Sequence, residues 1–474
     1  MPIWWRGDAV INRKSFIGSL FASAGTLKAS AKSGCDPCGF RLEKVLQVED
    51  EVDVLVVGGG PAGLTAAIAA ARAGKRVFLA ETSGSFGGAA TAAGVPTFCM
   101  FGDGERLLVG GIGLELRRMV SKEYPPENAW TPMNAEEFKL ACDRLITSST
   151  VRPSLFTTLC AARTEGRRLD AAIFASKRGL FAIRAKIFVD ATGDADLVAF
   201  AGGAYEKGDA NGAVMPATLC TLWGGIDFNH RSGFKEQCDQ LEAALKDGHF
   251  SVPDRHLTGI TPTPSAPAGT GGGNVGHIFG VDPTDERSLT KAMIDARRRM
   301  PEFESFFRKY LKGYEKFGLL ATAPYLGVRE SRRVRCDYML TADDFKARAS
   351  FLDEIGRYCY SVDIHPSSAD PKAMAEFKKK FLEEYSYRKG ESYGIPYRSL
   401  VATSFDNVLV AGRCIGTDRA MQASVRVIPG CFITGQAAGA AAALAVDAGA
   451  DVRKVEYAAL RERLEGLGAV LRRS

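Results

Sequence analysis

Gly58, Gly60 and Gly63 stand at the spacing of a turn that can cradle a phosphate, and an acid, Glu81, follows downstream. Each glycine has its own task. Gly58 permits the tight turn, Gly60 lets the backbone approach a pyrophosphate, and Gly63 lets a helix pack closely on a strand. Pro61 and Ala62 lie inside the same turn and belong to the same set. The pyrophosphate would sit at a helix N-terminus, where N–H groups and the dipole favour negative charge. Glu81 falls where a carboxylate accepts from an adenosine ribose hydroxyl. The chemistry these residues point to is dinucleotide binding.

The elements that must hold them are spelled by DVLVVGGGPAGLTAAIAAARAGKRVFLAE, residues 53–81: an apolar strand, the glycine turn, an alanine-rich helix and a second strand ending in the acid. Gly87 and Gly88 open a glycine-containing stretch that continues to Gly113, as expected of backbone held near a ligand. A helix is predicted from Asn134 as N-cap, with Glu137 as reciprocal partner, to about Ser148. Three strand-like segments follow, at 155–163, 169–176 and 180–191, and read as a meander running into Asp190-Ala-Thr-Gly193-Asp194. After about residue 205 the texture changes to mixed helices, isolated strands and a Pro/Gly/Thr stretch. The first pattern resumes at Asn407-Val-Leu-Val-Ala-Gly412-Arg413 and leads through Pro429-Gly430 into a helix with a narrow Gly/Ala face. The fold class expected is α/β: a Rossmann-like domain with a central parallel sheet and a three-stranded meander, carrying an inserted α+β substrate domain. The boundaries read as an extension over 1–50, the binding domain over 51–204 and 396–474, and the insertion over 205–395.

Bulk properties narrow the function. A chain of 474 residues with 46% hydrophobic and 24% charged residues is globular, and its net charge of +6 includes no long basic block. The cationic stretches at 297–299 and 329–335 lack interleaved aromatics, so no nucleic-acid partner is expected. No apolar run reads as reaching the roughly 18 residues that cross a bilayer, so no membrane span is expected. Eleven cysteines with a single CxxC, Cys35 to Cys38, give neither a disulfide framework nor a four-ligand zinc or cluster site, and no metal is expected. Asn12-Arg-Lys-Ser-Phe-Ile-Gly18 before a small-residue run looks like a twin-arginine export signal, with Lys in place of the second Arg. Localisation stays open between cytoplasm and periplasm.

Together with FGGAATAAGVPTF, VGGIGLEL, AKIFVDATGDADLVAFAGG, GVRESRRV, YSVDIHP, IPYRSL and the long segment 407–445, the glycine unit resembles the FAD-dependent oxidoreductase family with a glutathione-reductase-type nucleotide fold. Within it, the chain resembles the branch loosely related to the flavin-bearing component of heterodisulfide reductase. The resemblance implies FAD as the dinucleotide. It puts Gly58 to Gly63 on the pyrophosphate, Glu81 on the ribose, Gly87 and Gly88 along the ribityl and isoalloxazine side, and Gly193 with Asp194 near the adenine. Gly412, Arg413, Pro429 and Gly430 would close over the ribityl and pyrimidine parts. Arg413 stands where many related flavoproteins place an acid; it could reach a phosphate or flavin oxygen, or pair with Asp418. The chain has no second GxGxxG unit with an acid and no CxxxxC after the glycine turn, which argues against an NAD(P)H domain and against disulfide reduction.

On the substrate side, Arg329, Arg332 and Arg333 could clamp an anion. Asp363 and His365 could act as an acid/base pair while hydride leaves an alcohol or amine, and His277 is a further catalytic candidate. The expected activity is two-electron exchange between flavin and a small polar molecule, with sugar alcohol, hydroxy acid and amine all open. The electron partner and oligomeric state are not legible. The alternatives are a flavin-bearing electron-transfer component that works with a partner protein, and a non-catalytic FAD-stabilised binding protein.

Overall fold

A computed structural model describes residues 44–121, 130–256 and 259–471. The twin-arginine-like segment and the Cys35 to Cys38 pair lie outside the described residues. Strand β1 (Val48–Val57), helix α1 (Pro61–Arg72) and strand β2 (Val77–Ala80) form the first unit. Val54 to Val57 and all of β2 are buried, as expected of parallel strands covered on both faces. Helix α2 (Ala135–Thr147) begins where expected, with Asn134 Oδ1 accepting from the Glu136 N–H, but the expected reciprocal bond from Glu137 is absent among the described residues.

Four more strands follow: β3 (Arg152–Ser154), β4 (Thr158–Glu165), β5 (Arg168–Ser176) and β6 (Gly179–Asp190). The order across the sheet is β3-β2-β1-β6-β5-β4. The first four of these run parallel and the last three form the antiparallel meander. The sequence suggests one strand from 155 to 163; the structure breaks the chain there instead. Phe156 adopts a left-handed φ of 53°, so β3 joins the parallel edge and β4 the meander.

A second, antiparallel sheet contains β7 (Thr221–Gly224), β8 (Thr261–Pro262), β9 (Gly271–Gly273) and β10 (Gly318–Thr322), in the order β8-β9-β7-β10. Helix α3 (Glu286–Tyr310), capped by Asp285, accompanies it. This part has its own apolar centre, in which Trp223 stacks on Phe317 at 4.4 Å beside Phe306, Phe307 and Tyr314. From Val334 onward the chain packs differently: Val334, Leu340, Ile355, Tyr358 and Ile395 share the core of the first sheet.

Strand β11 (Val408–Val410) then pairs in parallel with the last residues of β6, and α4 (Arg419–Val425) precedes α5 (Ile428–Asp447). By length and composition α5 could cross a membrane, contrary to the expectation that no segment would qualify. Its surroundings supply the physical reason it is a core helix: nearly every residue is buried in protein. A Cβ on Gly435 would lie 2.1 Å from the Ala62 carbonyl oxygen, and one on Gly439 2.1 Å from that of Ala66. Only glycine allows α5 to lie this close to α1.

Candidate active site

The glycine turn has the geometry its spacing implies. Gly58 has a φ of 96°, and a Cβ at Gly63 would fall 1.7 Å from the Gly58 carbonyl oxygen. At Gly60 the nearest atom to an added Cβ is Gly88 Cα at 3.9 Å, so this position faces space that no described protein atom fills. Gly87 donates its N–H to the Gly59 carbonyl at 2.8 Å, fixing the Gly87-Gly88 turn against the cradle. Glu81 follows β2 beside the turn, where its carboxylate accepts from the Gly59 N–H at 2.6 Å and the Ser83 N–H at 2.7 Å.

The C-terminal segment completes the cradle. Gly412 has a φ of 81°, donates its N–H to Thr434 Oγ1 at 3.0 Å, and an added Cβ there would meet Ala62 at 3.0 Å. Helices α1 and α5 therefore begin beside one another, with Pro61 and Pro429 in their first turns. Among the described residues, neither has a capping side chain nor an acid in that turn. Two neighbouring helix N-termini of this kind favour an anionic ligand. The open space at Gly60 and the flanking carboxylate fit a dinucleotide.

Arg413 is engaged by the protein. Its guanidinium donates to the Gly193 carbonyl at 2.8 Å, the Val328 carbonyl at 2.7 Å and Asp194 at 2.6 Å. The alternative partner, Asp418, instead caps α4 through the Met421 N–H. Arg332 is likewise not brought to the substrate candidates: it bonds the Asp194 carbonyl at 2.9 Å and Asp196 at 2.8 Å. Arg333 pairs with Glu330 at 2.9 Å. Two of the three clustered arginines thus hold loops together. Arg329 alone of the three is bonded to no acid among the described residues.

Asp363, His365 and His277 do come together. His277 Nδ1 lies 3.0 Å from Asp254 Oδ1, His277 Nε2 lies 2.8 Å from His365 Nδ1, and His365 Nε2 lies 3.0 Å from Asp363 Oδ1. Arg426 closes the far end at 3.1 Å from Asp363 Oδ2. Both histidines are buried. Burial pushes the Asp363 carboxyl up, but the opposing charges of His365, Arg426 and Arg329 outweigh it and hold the group well below its usual range. Burial acts on Asp254 in the same way, and there hydrogen bonds and charge from His277 leave the carboxyl lowered overall.

Proton counting shows what this chain of groups can do. An ionised carboxylate only accepts, so His277 carries its proton on Nδ1 and His365 on Nε2. The inner nitrogens then face each other as two lone pairs, 2.8 Å apart, and a third proton has room between them. Burial lowers both histidines, His365 to about 3 with further lowering from the Arg329 cation. Near neutrality both rings are therefore neutral, and the unit holds two protons, one on each outer nitrogen.

His256 is close by, and one nitrogen from each of His256, His277 and His365 could be offered to a metal within a 4.8 Å span. However, the His256 and His277 rings stack at 4.0 Å with only 27° between planes. In-plane lone pairs of stacked rings do not converge on one ion, so this arrangement suits stacking better than coordination. Sequence reasoning does not single out Asp254, His256 or Arg426. Asp254 and His256 belong to no recognisable motif, whereas Arg426 lies inside the 407–445 segment, where nothing in the sequence marks it as a partner of Asp363.

A family model described as FAD dependent oxidoreductase matches residues 53–464. No match was found among curated proteins. Solved structures that resemble this chain include a geranylgeranyl bacteriochlorophyll reductase-like protein from Thermoplasma acidophilum, at 12% identity and TM-score 0.41, covering 88% of this chain and 83% of that one. A flavin-dependent brominase matches at 14% identity and TM-score 0.45, covering 88% and 84%. The p-nitrophenol 4-monooxygenase of Pseudomonas putida matches at 15% identity and TM-score 0.38, with the same coverage.

Proposed function

Since the chain belongs to the FAD-dependent oxidoreductase family, with FAD as its cofactor, we propose that it oxidises a small polar organic molecule, with hydride passing to flavin N5. Within that family we favour the glutathione-reductase-type arrangement, with Glu81 on the ribose, Gly58 to Gly63 on the pyrophosphate and the first turn of α5 over the pyrimidine part. FAD, when bound, supplies the two-electron acceptor. The protein's share is to orient the substrate and to take the proton that leaves with the hydride.

The observation that carries this reading is the join between the two Asp–His pairs. With Nε2–H fixed by Asp363, the basic atom of His365 is Nδ1. A proton released from the substrate would be shared between this atom and His277 Nε2, 2.8 Å away, while the proton on His277 Nδ1 is held by Asp254. One proton enters and no carboxylate needs to be neutralised. General-base assistance of this kind contributes about 100- to 10,000-fold in rate.

Anaerobic titration of the purified holoprotein with a metabolite panel, followed by flavin bleaching, tests the activity. Bleaching by a small molecule alone is expected. Bleaching only with a partner protein present would instead indicate an electron-transfer component. His365→Ala should retain FAD and slow single-turnover reduction by about 100-fold or more; an unchanged rate would remove His365 from the mechanism.

A further inference from the structure

Buried charges in proteins are paired with opposite charges. Arg329 breaks that rule. It is only 7% exposed, and its guanidinium donates to the Pro216 carbonyl at 2.9 Å, Thr218 Oγ1 at 2.9 Å and Asn274 Oδ1 at 3.3 Å, all neutral oxygens. The acids that act on it electrostatically are already engaged: Asp363 with His365 and Arg426, and Asp254 with His277. Glu330, the next residue, is turned to Arg333 and Arg419.

The surroundings contain further polar atoms without partners among the described residues. Gln422 donates to the Arg329 carbonyl at 3.0 Å, yet its own buried Oε1 accepts nothing. Arg426 Nε is buried and unbonded. Arg299, also 7% exposed, donates to the His277 carbonyl but leaves buried Nε and Nη2 without partners. Leaving such groups unsatisfied is costly, and more so for charged ones. An orphaned donor on Arg426, whose charge acts on Arg329, together with a buried Arg329 that has no counter-ion of its own, describes a place built for an anion.

We infer that the substrate is a carboxylate, a hydroxy acid or an amino acid, and that its carboxyl group is the missing counter-ion of Arg329. This rests on the oxidoreductase reading above and narrows it, removing sugar alcohols and simple amines. A guanidinium can bind a carboxylate through two parallel N–H···O bonds. The carbon next to that carboxyl group would then carry the hydroxyl or amino group whose proton passes to His365, while its hydrogen leaves as hydride to FAD. The product is the keto acid or imino acid, and atoms and charge balance with one proton gained by the histidine pair.

Binding can be read without turnover, from the change in flavin absorption when oxidised holoprotein is titrated with matched pairs. Suitable probes are glycolate against ethylene glycol, lactate against 1,2-propanediol, glycine against ethanolamine and alanine against alaninol. At least one acid should bind about tenfold or more tightly than its partner, and Arg329→Lys should weaken that acid by about tenfold or more at unchanged FAD content. The proposal is overturned if no acid outbinds its partner, or if the Lys variant binds the acid as wild type does. Should the variant fail to fold, the wild-type comparison decides alone. If acids bind selectively but none bleaches the flavin anaerobically, the carboxylate site stands and the oxidation reading falls.

Discussion

Gly60 and Gly63 are the same residue under opposite constraints. A methyl group at Gly63 would sit 1.7 Å from a carbonyl oxygen, whereas at Gly60 it would enter open space. Gly63→Ala should therefore destabilise the apoprotein by several kcal/mol, as overpacking of an unyielding contact does. Gly60→Ala should leave apoprotein stability within about 0.5 kcal/mol while lowering FAD retention. Thermal melts of apoprotein beside flavin-to-protein absorbance ratios check both, and a Gly60→Ala protein with full flavin would remove the cofactor from that space. The glycine spacing is legible in sequence because a turn of this kind permits so few residues. The arginines at 329, 332 and 333 are not separable there, since residue type and spacing cannot say which guanidinium meets an acid. Asp254 escapes notice for a related reason: only the fold brings 254 and 277 to 365.

At the scale of elements, the end of β6 is governed by one buried acid. Asp190 accepts from the Thr192 N–H at 3.1 Å, Thr192 Oγ1 at 2.8 Å and the Val198 N–H at 2.9 Å, and so ties the strand to the loop bearing Gly193 and to the helix beyond. Burial raises its carboxyl to about 6 against those hydrogen bonds. The folded form thus binds this proton more tightly than the unfolded chain does. The stabilisation is present below pH 3.8, the ordinary value for the group, and is lost as pH rises through about 6. Asp190→Asn cannot show this loss, so its stability relative to wild type should improve between about pH 4 and 7, by up to about 3 kcal/mol. Urea midpoints across that range test it; a difference independent of pH would mean that Asp190 titrates normally. The strand itself is visible in the sequence, but its division of labour between β5 and β11 is not, because one apolar run cannot announce two partners.

At the scale of the whole molecule, two of the three apolar centres among the described residues differ in size and connection. The antiparallel sheet with α3 has its own small cluster, whereas segments from 334 onward share the larger core with the parallel sheet. Regions with smaller cores open more readily. Amide exchange in β7, β9, β10 and α3 should be faster than in β1 and β6, and equal rates would show one cooperative unit. The change of texture near 205 is visible in the sequence, while the return to the main core near 334 is not, since short buried strands look alike wherever they pack.

The contact between Ala62 and Gly435 also orders events during synthesis. The cradle starts at Gly58 but has no far wall until Gly412 and α5 exist, about 350 residues later. At roughly 5–20 residues per second, a nascent chain carries an exposed half-site for tens of seconds. A ligand that needs both helix ends can be captured only after almost all of the polypeptide has left the ribosome.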